Sequence, residues 1–179
     1  VDGGGSYSAF LDFTMPSLAD GNYRILVVTD AGSQIYEGPA GSTAENNLTA
    51  ATVPLAVVHP DLVPEQLDAP ATAVSGNHVT LTYTIRNSGT GQAAGNWLDR
   101  VYLSRDTTID GNDTLVATHT ISGPLAAGLA YGDSVDVDLP LGAEGTYYLL
   151  VAADAAGNVP ELGAEGNNVA SRRLDVTLA

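Results

Sequence analysis

The sequence predicts an all-β chain. It should hold an antiparallel β-sandwich of immunoglobulin or fibronectin type III kind with about seven strands, preceded by the last three strands of a second such module. Three observations carry this. Apolar and polar residues alternate with period two along segment after segment. Clusters of Gly, Asn, Asp and Pro punctuate those segments at short intervals. Residues 1–57 also repeat the end of the sequence that follows them.

The complete module is expected over 58–179, with strands at 61–68, 77–87, 97–104, 114–121, 133–139, 146–154 and 168–178. The clearest is "HVTLTYTIRN": Val79, Leu81, Tyr83 and Ile85 point one way, and Thr80, Thr82, Thr84 and Arg86 the other. "SVDVDLPL" repeats the pattern, with Val135, Val137 and Leu139 inward and Asp136 and Asp138 outward. "TYYLLVAAD" is apolar on both faces, as a central strand is. The predicted core takes Leu62, Leu81, Tyr83, Ile85, Val101, Leu103, Val135, Val137, Leu149 and Val151, with Trp97 packed on it. No long segment has helical periodicity.

Residues 7–37 slide onto 131–161 without a gap. Tyr7 falls on Tyr131, Asp12 on Asp136, Pro16 on Pro140, Gly21 on Gly145, Tyr23 on Tyr147, Asp30 on Asp154 and Glu37 on Glu161. After a short insertion, "AENN" at 44–47 matches "AEGNN" at 164–168. Residues 1–57 therefore read as the last three strands of a preceding module without its first four. Three strands do not bury a sandwich core alone. The expected partners are neighbouring modules of the same chain or identical chains, with strand complementation of residues 1–57. The connection "PLAVVHPDLVP" is proline-rich and suits a stiff junction.

Composition narrows the function. The chain has no lysine, six arginines, 21 acids and a formal net charge of −15. That excludes a nucleic-acid binder, which needs a basic face. No apolar run reaches membrane-spanning length, which excludes membrane insertion through a helix. The absence of cysteine removes disulfides, thiolate metal sites and a cysteine nucleophile.

The order of short motifs resembles the CARDB family, the cell adhesion related domain found in bacteria. They are "PDLVPEQLDAP", "TYTIRNSGTGQAAGNWLDRVYLSRD", "GTYYLLVAAD" and the closing "ELGAEGNN". The half-module carries "GNYRILVVTD" and "AENN" in the same places. The resemblance implies immunoglobulin-like modules, often in tandem, in large secreted or surface-attached proteins. It brings no catalytic residues.

The residues leave alternatives open at three places. In "DTTIDGND", Asp106, Asp110, Asn112 and Asp113 offer oxygens for calcium, but the spacing is not that of an EF-hand, and Asp-Gly at 110–111 equally marks a plain turn. Asp99 shares strand parity with Trp97 and Val101. The expectation is a bulge that turns it outward or a pairing with Arg100 or another arginine, the alternative being a ligand role near the loop. Asp154, Glu161, Glu165, Asn167 and Asn168 form a second cluster, with counterparts Asp30, Glu37, Glu45, Asn46 and Asn47. It reads chiefly as a latch for the last hairpin.

His59, His78 and His119 show no zinc spacing, and no G-x-S-x-G elbow is present. The expected function is a structural, non-catalytic module of a large secreted or cell-surface bacterial protein, a spacer or a filament or adhesin stalk that calcium stiffens. The alternatives are a module that binds a glycan, through Tyr36, Tyr102 or Tyr148, or a protein, and an accessory domain of a secreted hydrolase.

Overall fold

Alternating segments become strands only where a partner edge exists, and the computed structural model shows where those edges are. It describes residues 5–32, 34–36 and 47–179. In chain order the strands are β1 (Gly21–Tyr23), β2 (Leu26–Val28), β3 (Leu48–Ala50), β4 (Leu55–Val57), β5 (Leu62–Asp68), β6 (Thr72–Val74), β7 (His78–Asn87), β8 (Asn96–Ser104), β9 (Thr114–Ser122), β10 (Ala130–Asp138), β11 (Gly145–Ala152) and β12 (Val169–Thr177). Among the described residues, no helix is long and apolar enough to cross a membrane.

Residues 62–177 form the sandwich. One sheet has the order β10-β7-β5, and the facing sheet β6-β12-β11-β8-β9. All seven expected strands are present. An eighth, β6, was not expected, and it runs parallel to β12, the one departure from an antiparallel fold in the sandwich. The cause lies in the first strand. The β5–β7 register shifts between Glu65 and Asp68, Gln66 takes φ 50°, and Pro70 follows. After this break the chain leaves the first sheet and adds three residues to the edge of the second.

The inner faces make one core. All ten expected core residues are buried, and Trp97 is buried among them. Burying each large aliphatic side chain contributes roughly 1.5–3 kcal/mol. β11, between β12 and β8, buries Leu149 and Leu150 on opposite faces, which explains its continuous apolar run.

Residues 5–57 differ from expectation. In place of three strands, the described residues of this range show two short ladders, β1 with β4 and β2 with β3. Residues 5–19 form no strand, although 7–15 align with the sequence of β10. β10 exists because β7 supplies its hydrogen bonds. Among the described residues no strand pairs with residues 7–15, so the alternation there yields no sheet. The two ladders have the chain positions of the β11–β12 hairpin. Val28 pairs with Leu48 as Ala152 pairs with Val169. Two extra residues among 51–54 then shift the register, so Gly21 faces Val57.

Candidate functional site

The sequence-predicted site residues fall in separate places. The loop 106–113 joins β8 to β9 and uses its oxygens on itself. Asp106 Oδ1 accepts the Thr108 N–H at 2.8 Å, Asp110 Oδ1 accepts the Asn112 N–H at 2.7 Å, and Asp113 Oδ2 accepts the Asp110 N–H at 2.8 Å. These are the side-chain-to-backbone bonds by which Asp shapes turns. Ile109 leaves the loop to line a groove on the outer sheet face with Tyr102, Ala152 and Val169. Among the described residues, no three His, Asp or Glu side chains converge into a metal-holding group. Tyr102 and Tyr148 are half-buried, whereas Tyr36 is exposed and lies in the leading segment.

Asp99 corrects its expectation. It is neither turned outward nor paired with arginine: it is buried, and Asp99 Oδ2 accepts the Tyr131 hydroxyl at 2.5 Å while Asp99 Oδ1 accepts the Asp154 N–H at 3.2 Å. The Trp97 Nε1–H donates to the same tyrosine oxygen at 3.1 Å. The group joins β8, β10 and the start of the closing loop. Burial raises the Asp99 pKa against the lowering effect of the Tyr131 bond. Burial and then the Asp99 bond push Tyr131 upward too. Nearby, His119 Nδ1 contacts Asp133 and lies 3.4 Å from the Tyr83 hydroxyl. A single-strand reading missed both partnerships because each partner sits on another strand.

The closing loop follows β11 and carries the second cluster. Asp154 adopts φ 41° and accepts the N–H groups of Asn158 and Val159 at 2.9 and 2.7 Å. Asp30 does the same in the leading segment, at φ 43°, with Gln34 and Ile35 at 2.8 and 2.9 Å. The counterparts Glu37, Glu45 and Asn46 lie outside the described residues. Asn167 Nδ2 donates to Asp61 at 2.9 Å. Glu161, only 2% exposed, accepts the Leu62 N–H at 3.0 Å and so ties the closing loop to β5. Its Oε2 and the Asn168 Oδ1 are both buried without a donor. Burial raises the Glu161 pKa to about 7 against the lowering effect of the Leu62 and Asn168 bonds, with Glu165 and Asp61 adding to the rise.

The most built arrangement is the junction with the leading segment. Asn87, fully buried at the end of β7, donates to the Gly91 and Leu125 carbonyls and accepts from the Asp61 and Gly89 N–H groups. That fixes the turn 88–91. The turn in turn holds the linker: the Thr90 and Gly91 N–H groups donate to the His59 carbonyl at 3.0 and 2.8 Å. Gly89 admits no side chain, because a Cβ would lie 2.4 Å from the His59 oxygen. Asp20 closes the junction from the other side. Its Oδ1 lies 2.5 Å from His59 Nδ1, and its Oδ2 accepts the Thr90 hydroxyl. Those two partners, Thr90 first, hold the Asp20 carboxyl below the usual range. A groove of about 260 Å³ runs beside it, lined by Asp20, His59, Asp61, Thr90, Glu161 and Leu162. Of these, the sequence places Glu161 in a cluster and His59 and Asp61 in the linker, and singles out neither Asp20 nor Thr90.

The CARDB family model matches residues 59–172, most of the chain. The chain belongs to the CARDB family. Among solved structures it is similar to a crystal structure of a CARDB domain from Pyrococcus furiosus in complex with di-metal ions. The TM-score is 0.54 and the identity 23%, over 68% of this chain and 96% of that one. A solution NMR structure of the CARDB domain from the same organism gives 0.52 and 22%, over 69% and 100%. These likenesses show the fold. No curated protein matches the chain. CARDB is a cell-adhesion-related domain family, and that is the level at which function is established.

Proposed function

We propose that this chain is a non-catalytic, tandem-repeat stretch of a large secreted or cell-surface protein, in which residues 58–179 are one CARDB module and residues 1–57 the end of the one before. The modules act as a stiff spacer or stalk. The observation that carries this is the junction: a glycine turn organised by the buried Asn87 holds the linker, and Asp20 clamps it through His59 and Thr90. A flexible connection needs none of these contacts. Residual dipolar couplings test it. One alignment tensor should fit the amides of 21–28 and of the sandwich together, and Asp20→Ala should separate them into two. Two tensors in the unaltered protein would sink the spacer reading.

A second reading adds calcium at Asp106, Asp110, Asn112 and Asp113. It draws on the metal complex of the Pyrococcus domain and on the net charge of −15, which a divalent cation relieves. It requires the loop to give up the Asp110 and Asp113 bonds to its own backbone. Thermal melting in millimolar calcium against chelator decides. Binding a hundredfold above the dissociation constant stabilises by about 2.7 kcal/mol, and Asp110→Ala should abolish that shift. No shift in the unaltered protein leaves the loop a self-capped turn.

A further inference from the structure

Small residues leave room on the outer face of the five-stranded sheet. β11 ends in Ala152, and Ala153, Ala155 and Gly157 follow it. Their side chains are too short to fill the space between Tyr102 and Ile109 on one side and the closing loop on the other. The result is a groove of about 240 Å³. That is smaller than the site of a drug-sized molecule and suits one side chain or one ring.

Both walls are fixed by hydrogen bonds of their own. Ile109 sits in the loop whose Asp106, Asp110 and Asp113 carboxylates bond its own backbone. On the other wall Asp154 accepts two N–H groups, and Glu165 Oε1 accepts the Glu161 N–H at 3.2 Å.

The lining selects by charge. Asp154 and Glu165 both line the groove, and among the described residues no basic side chain does. Arg100, opposite Ala152 in the β8–β11 register, lies outside the lining. Asp110 follows Ile109 directly and adds to the negative potential. An anionic ligand is therefore disfavoured. Asn168, only 6% exposed, also lines the groove, and its Oδ1 has no donor. The unmet need of this wall is for a hydrogen-bond donor, which a purely apolar ligand does not bring. The remaining surfaces are apolar: Ile109, Val169 and the ring of Tyr102. A sugar supplies hydroxyl donors but gains nothing from the charge. A cation at the end of an apolar stem matches every wall.

We propose that this groove takes a lysine side chain of a protein partner. The butyl stem lies along Ile109 and Val169. The ammonium, with three donors and no acceptor, stands between the Glu165 carboxylate and the Tyr102 ring, where an ion pair and a cation–π contact act together. The partner is not a second copy, because this chain contains no lysine. Nothing here requires the spacer reading, since every lining residue lies between Tyr102 and Val169 of the one module.

The test is a titration of the whole chain followed in its amide spectra, in chelator so that no divalent cation neutralises the 106–113 loop. The probe is Nα-acetyl-lysine N-methylamide. Saturable shifts should appear at residues 152–157 and 165–169. The norleucine analogue keeps the stem, lacks the charge and should bind roughly tenfold more weakly. Glu165→Gln keeps an acceptor for the Glu161 N–H, and Tyr102→Leu keeps an apolar wall. Each should weaken the lysine probe by roughly two- to fivefold and leave the norleucine probe unchanged. Equal binding of the two probes, lysine binding untouched by both variants, or no saturable shift at tens of millimolar overturns the proposal. Tighter binding of the acetyl-arginine analogue overturns it in favour of arginine, which a second copy can supply. Tighter binding of methyl glucoside overturns it in favour of a sugar.

Discussion

Replacing Glu161 by glutamine should make the sandwich more stable at neutral pH than it is with its native residue. Glu161 Oε1 accepts the Leu62 N–H, while Oε2 and Asn168 Oδ1 are two buried acceptors without a donor. Asn168 also reaches Glu165 through Nδ2 at 3.5 Å. Flipping the amide only moves the conflict, because one carboxylate then faces its oxygen whichever way it points. A proton on Glu161 gives Oε2 a hydrogen to donate, where the ionised carboxylate can only accept, and so offers the buried Asn168 oxygen a donor. Burial favours that neutral form, and the pKa rises from 4.5 to about 7. For an acid with a raised folded-state pKa, the folded chain holds its proton longer than the unfolded one. Its contribution is therefore complete below pH 4.5, declines from there to about pH 7, and stays flat above. The shift corresponds to about 3 kcal/mol at roughly 1.4 kcal/mol per unit.

Glutamine keeps the acceptor for Leu62 and brings a permanent donor for Asn168. Urea melts from pH 4 to 8, followed by the fluorescence of the buried Trp97, should give equal stability for the two proteins near pH 4. By pH 8 the Glu161→Gln protein should lead by up to about 3 kcal/mol. Taking the difference between the proteins cancels every other titrating group, including Asp99, whose pKa burial also raises. A difference that does not change with pH, or a Gln variant that is weaker at pH 8, refutes the reasoning. Glu161→Ala should instead destabilise at every pH, because the buried Leu62 N–H loses its acceptor, at about 1–3 kcal/mol.

Tyr131→Phe should cost about 2–4 kcal/mol in the same melts, since it deprives the buried Asp99 carboxylate and the Trp97 N–H of a partner at once; a loss under 0.5 kcal/mol contradicts that account. Asn87→Ala should cost about 3 kcal/mol or more, because four backbone groups lose their partner together. Its effect should include faster exchange of the Thr90 and Gly91 amides. Gly89→Ala should also loosen the junction, since the 2.4 Å approach of a Cβ to the His59 oxygen can be relieved only by moving backbone. Unaltered melting and exchange in that variant would show that the turn is not packed as described.

Period-two patterning made seven strands and the eleven expected core residues readable, because alternation encodes a buried face directly; Val159, Leu174 and Val176 join the core without having been expected there. β6 escaped because three residues carry no period, and its placement follows from the break at Gln66 and Pro70. Asp99 has the parity of the core-facing residues of its strand, but the expectation turned it outward or paired it with an arginine, and neither holds. Parity along one strand tells which way a side chain points, but the tyrosine that meets it is 32 residues away on another sheet. The junction was legible only as a stiff linker. Its clamp joins Asp20 to Thr90 across 70 residues, and no local pattern marks such a pair.

The two aligned stretches separate local from tertiary encoding within one chain. The Asp30 loop reproduces the Asp154 loop, positive φ and both hydrogen bonds included, although nothing comparable to the sandwich core lies beneath it. That geometry is therefore specified by a few neighbouring residues: an Asp side chain in the left-handed region bonding its own downstream backbone. The pairing of Val28 with Leu48 survives for the same reason, since the two lie at the closed end of the hairpin. Residues 7–15 do not survive. They carry the alternation of β10 and even its proline stop, yet form no strand without a neighbour. Turn chemistry is read from sequence because it is completed by sequence neighbours. A strand is completed by an edge that lies elsewhere, and its pattern states only which side chains will be buried once that edge arrives.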